Sequence, residues 1–315
     1  MSKVERREVA HEIIVNAPAA QVYRLIAEVR NWPRIFPPTI HVDRLEQNGA
    51  EERIRIWATA NGEPKNWTSR RVLDPEALRI EFRQEVSAPP VASMGGTWII
   101  EPLEPEVAKV RLLHDYRAVD DDPEGLAWID EAVDRNSRSE LAALKTNVEL
   151  ALGDGEALAV SFEDSVRING SVKDVYDFLN EAQLWLERLP HVARVELTEE
   201  TPGLQTLEMD TRTKDGSTHT TKSIRVCFPH NEIVYKQITL PALMSLHTGY
   251  WRLWETDDGV TAVSQHTVVV KPENIAAILG QEAGVEEAKK FVRNALGTNS
   301  LATLGKAKAY AEGEA

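Results

Sequence analysis

Trp67, Ser69 and Arg71 are spaced two residues apart and together carry groups that can enclose and polarise an oxygen-rich ligand. In an extended run from Asn66 to Leu73 they share one face, and Thr68, Arg70 and Val72 share the other. If the first face looks inward, Arg71 lies among aromatics and needs an oxygen partner, because a buried unpaired charge is very costly. If it looks outward, Arg71 pairs with a surface carboxylate, and the run by itself leaves both readings open. His114 shares a face with Leu112 and Tyr116. It is either a satisfied structural histidine or an acid/base group whose pKa lies near neutrality. Trp32, Trp67 and Trp98, with Met94 before the last, fall in three separate segments. They are core residues, or they wall a pocket for a flat or extended carbonyl-rich ligand, since indole offers apolar area and a donor.

The elements that must position these residues occur twice. Val22-Tyr23 recurs as Val175-Tyr176, an offset of 153 that also matches Asn16 with Asn169, Glu28 with Glu181, Trp32 with Trp185 and Pro37 with Pro190. The register slips by one where Ser69-Arg70-Arg71 meets Ser223-Ile224-Arg225, then returns at Gly96-Thr97-Trp98 against Gly249-Tyr250-Trp251. A slip of one residue in a turn is what a duplicated fold tolerates. Each copy runs strand, helix, Pro-rich turns, six strands and a long helix. In the first copy Val22, Leu25, Ile26 and Val29 give the early helix one apolar face. Asp122-Pro123-Glu124 caps the last helix, along which Leu126, Ile129, Val133, Leu141, Leu144 and Val148 form a stripe. The order predicts an α+β fold: two tandem domains, 1–153 and 154–315, joined near Gly153-Asp154-Gly155-Glu156. In each, a curved antiparallel sheet grips a long C-terminal helix and leaves an internal pocket. The second copy keeps Ser223, Arg225 and Trp251, sets His247 in the place of Met94 and His266 roughly in that of His114, and so has a more polar pocket.

Composition narrows the function. The 315 residues carry a formal net charge of −14, which argues against nucleic-acid binding, where a basic face supplies most of the affinity. Cys227 is the single cysteine, so no internal disulfide forms and a reducing, cytoplasmic setting is expected. The first eight residues lack the apolar core of a signal peptide, and no apolar run is long enough to span a bilayer. His11, His41, His191, His219 and His230 show no ligand spacing, so no metal is expected, and phosphate-loop, dinucleotide-binding and nucleophile-elbow patterns are absent.

Trp32-Pro33 with Phe36-Pro37, Trp67-Thr68-Ser69-Arg70-Arg71, Met94-Gly95-Gly96-Thr97-Trp98 and Asn136 together resemble the aromatase/cyclases of bacterial type II polyketide synthases. The doubled length resembles their di-domain members, with a START-like helix-grip fold in each half. The resemblance implies an enzyme, without organic cofactor or metal, that takes a poly-β-ketone tethered to an acyl carrier protein and works beside other synthase components. It implies first-ring closure between carbon 7 and carbon 12 of a chain already reduced, by aldol condensation and loss of water. On that reading Arg71 anchors oxygen and stabilises the oxyanion, helped by Ser69 and Asn136, and His114 is the general acid/base. Trp32, Phe36, Trp67, Met94 and Trp98 shape the pocket; Ser223, Arg225, Trp251 and His266 line its counterpart. The resemblance implies a tyrosine a few residues after the Trp-Pro-x-x-Phe-Pro segment in some single-domain relatives, whereas this chain has Pro38-Thr39-Ile40. The first copy keeps the fuller motif and is read as the catalytic one. A carrier of similar acidity needs a local basic patch, which Arg30, Arg34 and Lys65 could form unless they are plain solvated charges. The competing function is a non-catalytic carrier of a hydrophobic ligand, whose pocket would be aliphatic and hold few inward charges.

Overall fold

A computed structural model of the chain describes residues 6–152, 155–212, 216–257 and 259–314. Two compact units emerge, Met1–Gly155 and Glu156–Ala315. Of the expected junction, Gly153 and Asp154 lie outside the described residues.

The first unit begins with β1 (Arg7–Val15), α1 (Ala19–Ala27) and the one-turn α2 (Trp32–Ile35). There follow β2 (Thr39–Asn48), β3 (Glu51–Ala60), β4 (Glu63–Asp74), β5 (Arg79–Val86), β6 (Val91–Glu104) and β7 (Val107–Ala118), then α3 (Pro123–Leu152). The sheet order is β1-β7-β6-β5-β4-β3-β2, antiparallel throughout. Sequential hairpins produce that order at little loop-closure cost, and only β1 pairs across the chain. Ladder irregularities at Thr39/His41 and Thr68/Ser69 add local twist where the sheet must bend over its helix. Alternation along β4 sends Ser69 and Arg71 inward and Arg70 and Val72 to solvent.

The helix α3 starts as its sequence predicts, with the Asp122 carboxylate accepting from the Gly125 N–H at 2.7 Å. Its stripe is not uniformly apolar. Leu141, Leu144 and Val148 pack with Val22 and Ile26 of α1 and with Trp98 and Leu112 of the sheet. Ile129 and Val133 pack on Tyr116 and Ala118. Between these two packed ends, Asn136, Ser137 and Glu140 face the space under the sheet. The packed ends hold the helix off the sheet, and truncating Leu144 to Ala would cost about 2–5 kcal/mol.

The second unit repeats the plan: α4 (Gly155–Leu158), β8 (Ala159–Ile168), α5 (Val172–Asn180), α6 (Trp185–Arg188) and six further strands. These are β9 (Val192–Thr201), β10 (Leu204–Arg212), β11 (Thr218–Phe228), β12 (Glu232–Thr239), β13 (Met244–Thr256) and β14 (Gly259–Val270). The short α7 (Ile275–Leu279) precedes the long α8 (Val285–Ala311). The sheet order, β8-β14-β13-β12-β11-β10-β9, is that of the first unit. Because α7 is extra, Asn136-Ser137 recurs as Asn299-Ser300, and Thr303 takes the place of Glu140. Among the described residues no helix is long and apolar enough to cross a membrane.

Candidate active site

Under the first sheet an outer chamber of about 840 Å³, counting its open mouth, leads into an inner one of about 570 Å³. Trp32, Trp67, Met94, His114 and Glu140 line both. Arg71 looks inward, and its oxygen partner is not on the surface. Glu52 stands directly opposite on β3, both side chains are at most 1% exposed, and Arg71 Nη1 lies 3.2 Å from Glu52 Oε1. Arg71 Nη2 donates to the carbonyls of Ile26 and Ala27, each at 3.2 Å, and the guanidinium lies 5.1 Å over the Trp32 ring. The other Glu52 oxygen accepts from Arg44 Nε at 2.7 Å. Burial lowers the Arg71 pKa to about 10, with Glu52 opposing the shift, so the group stays charged at neutral pH. Arg71 Nε and Nη1 are both sealed without a hydrogen-bond partner, so Glu52 holds the guanidinium by charge rather than by a hydrogen bond.

Ser69 and Trp67 line the inner chamber beside Arg71. Phe36 sits edge-on to Trp32 (5.5 Å) and stacks on Trp98 (5.9 Å), so the three rings form one rigid wall. The Trp32 Nε1–H donates to the Ile26 carbonyl at 3.0 Å, which fixes the indole under Arg71. Asn136 lines the outer chamber and donates from Nδ2 to the Thr59 carbonyl at 3.0 Å. The Met94 sulfur, at the junction, accepts from Gln84 Nε2 at 3.5 Å. Where a tyrosine was missed in sequence, Thr39 lines the cavity instead.

His114 lies edge-on to Phe82 at 5.4 Å, and its Nδ1 is sealed without a partner. Its expected titration near neutrality is corrected. Desolvation, with a smaller contribution from His11, pushes the imidazole down to about 4, so at pH 7 it is neutral and carries a free lone pair, though as a weaker base than an ordinary histidine. The residue that sequence reasoning missed is Glu140. It has no hydrogen-bond or ion-pair partner among the described residues, and burial alone pushes its carboxyl up to about 8. A neutral carboxylic acid and a neutral imidazole therefore share one cavity, their pKa values driven apart by environment. The signal was present in the sequence: Glu140 falls on the α3 stripe between Val133 and Leu144, where an acid is out of place.

The second cavity, also about 840 Å³ with its mouth, brings together Ser223, Arg225, Trp251 and His266 with Trp185, Tyr235 and His247. Arg225 repeats the Arg71 arrangement, donating to the Leu179 carbonyl at 2.6 Å with Trp185 5.4 Å from its guanidinium. Its cross-strand neighbour is Gln205 where Arg71 has Glu52. Arg225 thus has no buried carboxylate among the described residues, and Nη1 is left without a hydrogen bond.

The chain matches the family described as polyketide cyclase / dehydrase and lipid transport twice, over residues 6–149 and 159–312. It belongs to that family. The granaticin polyketide synthase bifunctional cyclase/dehydratase of Streptomyces virginiae is 53% identical, over 94% of this chain and 97% of its own. The actinorhodin polyketide synthase bifunctional cyclase/dehydratase of Streptomyces coelicolor is 45% identical over 99% of both chains. The crystal structure of a di-domain ARO/CYC from the BE-7585A biosynthetic pathway superposes with a TM-score of 0.87 at 67% identity, covering 97% of this chain and 99% of that one. The chain is an enzyme of the aromatase/cyclase kind with two START-like domains.

Proposed function

We propose that the first cavity closes the first ring of a poly-β-ketone tethered to an acyl carrier protein and already reduced, joining carbon 7 to carbon 12. The carrying observation is a buried, charged Arg71 walled by Trp32, Phe36 and Trp98, in a cavity that also holds an unpaired acid, Glu140, and a neutral base, His114. Poly-β-ketones are reactive and fold in many ways, so a rigid aromatic wall chooses one closure by positioning. His114 removes a proton from the carbon between two carbonyls, and the enolate carbon attacks the distant carbonyl. Arg71, which lines the inner chamber, stabilises the developing oxyanion with its positive charge. Glu140 protonates the new alkoxide, and the β-hydroxyketone that results is set up to lose water. A carrier of aliphatic ligands would have no use for a guanidinium, a carboxyl and an imidazole lining one cavity.

The carrier protein would approach through Arg30 and Arg34, which are exposed and have no carboxylate partner among the described residues. Lys65 is different: it pairs with Glu63 at 3.0 Å, lies 6.0 Å over the Trp128 ring and lines the outer chamber, so it meets the tether rather than the carrier. We read the setting as cytoplasmic, alongside the other synthase components. The test is Arg71→Ala in a synthase reconstituted with carrier-bound substrate. Loss of one preorganised oxyanion donor lowers correct ring closure by about 10²-fold or more. Unchanged yield and regiochemistry would overturn the assignment.

A further inference from the structure

The second cavity holds a cluster that the first lacks. Tyr235 Oη lies 2.9 Å from His266 Nδ1, and His247 Nε2 lies 3.0 Å from the same nitrogen. Tyr235 Oη is also 3.5 Å from His247 Nε2. All three residues line the cavity and are nine-tenths or more buried. Register explains how they meet. Tyr235 pairs with Gly249 on β13, and a Cβ there would fall 2.5 Å from the phenolic oxygen. The missing side chain at Gly249 makes room for the hydroxyl, and His266 pairs with the same glycine from β14. The corresponding residues of the first unit are Phe82, Met94 and His114, of which only the histidine can move a proton.

Four side chains around this cavity carry a sealed polar atom without a partner: His266 Nε2, His247 Nδ1, Gln237 Oε1 and Arg225 Nη1. Buried polar groups are normally satisfied, and four around one cavity imply a ligand that offers both acceptors and a donor. A cyclic β-hydroxyketone does so, with a carbonyl for Arg225 and a hydroxyl for Gln237. Both imidazoles are held neutral by desolvation, His266 at about 4 and His247 well below its ordinary value. His266 Nδ1 lies between a phenol and a second imidazole, and in the tautomer that donates Nδ1–H to them Nε2 keeps its lone pair and is oriented as the base.

We propose that the second cavity is an elimination site, in which His266 removes the α-proton of a cyclic β-hydroxyketone and returns it to the departing hydroxyl. The C–H bond breaks, its electron pair becomes the new C=C bond, the C–O bond breaks, and the hydroxyl leaves with the returned proton as water. No oxidant, reductant or metal takes part in the balance. Tyr235 and His247 are positioning residues that hold His266. The inference rests on the ring-closing reading of the first cavity, since ring closure makes the β-hydroxyketone.

The test uses the intact chain and a synthetic β-hydroxytetralone, which becomes a fluorescent naphthol on losing water and needs neither ring closure nor a carrier. His266→Gln lowers the rate of naphthol formation by about 10²-fold or more, the usual worth of a positioned acid/base group. Tyr235→Phe and His247→Met install the residues found at Phe82 and Met94, so the fold accommodates them. Both variants reduce kcat while leaving KM near that of the native chain, a split that simple loosening of the cavity would not produce. Naphthol formation equal in native and His266→Gln chains overturns the proposal. So does a rate that falls with Glu140→Gln and not with Tyr235→Phe, because water loss then belongs to the first cavity. A chain that fails ring closure but makes naphthol through His266 loses the first-cavity reading and keeps this one.

Discussion

Replacing Glu52 by Ala takes away the carboxylate that faces Arg71 at 3.2 Å and accepts from Arg44 at 2.7 Å. At an effective dielectric constant of about 20, a pair at that distance attracts by about 5 kcal/mol before desolvation is charged against it. The loss on removing one partner is larger than the pair's net worth, because a charge stays buried without its mate; about 3–5 kcal/mol is usual. Arg71 would keep only two carbonyls and the Trp32 face. In a unit of roughly 150 residues each kcal/mol moves Tm by about 2–4 °C, so the lower transition of the intact chain falls by about 6–20 °C. Arg71→Met costs less, since Glu52 keeps Arg44 and the methionine fills the space with apolar atoms. Glu52→Gln falls between, because Gln205 occupies the same register opposite Arg225. Scanning calorimetry on the three variants measures the order. An unchanged Tm for Glu52→Ala, or a greater loss for Arg71→Met, would refute the view that Glu52 is the group that lets Arg71 remain charged inside the cavity.

Glu140, pushed up to about 8 from an ordinary 4.5, holds in the folded chain a proton the unfolded chain has released, so stability is lost as pH rises through that window. Glu140→Gln flattens this slope in urea titrations across the window and lowers ring closure at neutral pH by about 10²-fold, because an amide cannot give the proton. In the native chain, ring closure declines once pH passes about 8, and a rate still level well above that would exclude Glu140 as the acid. His114 has the opposite sign: held down to about 4 from 6.5, it resists a proton the unfolded chain accepts, so stability is lost as pH falls from 6.5 through 4. His114→Phe reduces that acid sensitivity, and an acid limb identical to the native one would show that the imidazole is not desolvated.

The architecture was legible because repetition and alternation are properties of the chain itself. The offset of 153 set two copies in register, and the spacing of Trp67, Ser69 and Arg71 required a common face. Which way that face looked was not legible, since it depends on Glu52, a residue on another strand that becomes a neighbour only through the ladder. The neutrality of His114 was hidden for the same reason, because desolvation is set by everything packed around the ring. Glu140 was open to detection as an acid on an apolar stripe. Tyr235 was not, because its significance arises only when three strands bring His247 and His266 to its hydroxyl.

The two units share one sheet order, and the differences between their cavities are chemically consistent. The first cavity keeps ionic and acidic groups, Arg71 with Glu52 and the lone Glu140, which suit a step that creates charge on oxygen. The second replaces each acid with a neutral group, Gln205 for Glu52 and Thr303 for Glu140, and adds a phenol and a second imidazole. A neutral relay suits a step in which one proton leaves carbon and departs with a hydroxyl, with no net charge to stabilise at the end. On the reading that the second cavity eliminates water, Gln205 and Thr303 in place of acids, with Tyr235 and His247 in place of Phe82 and Met94, form one chemically consistent set.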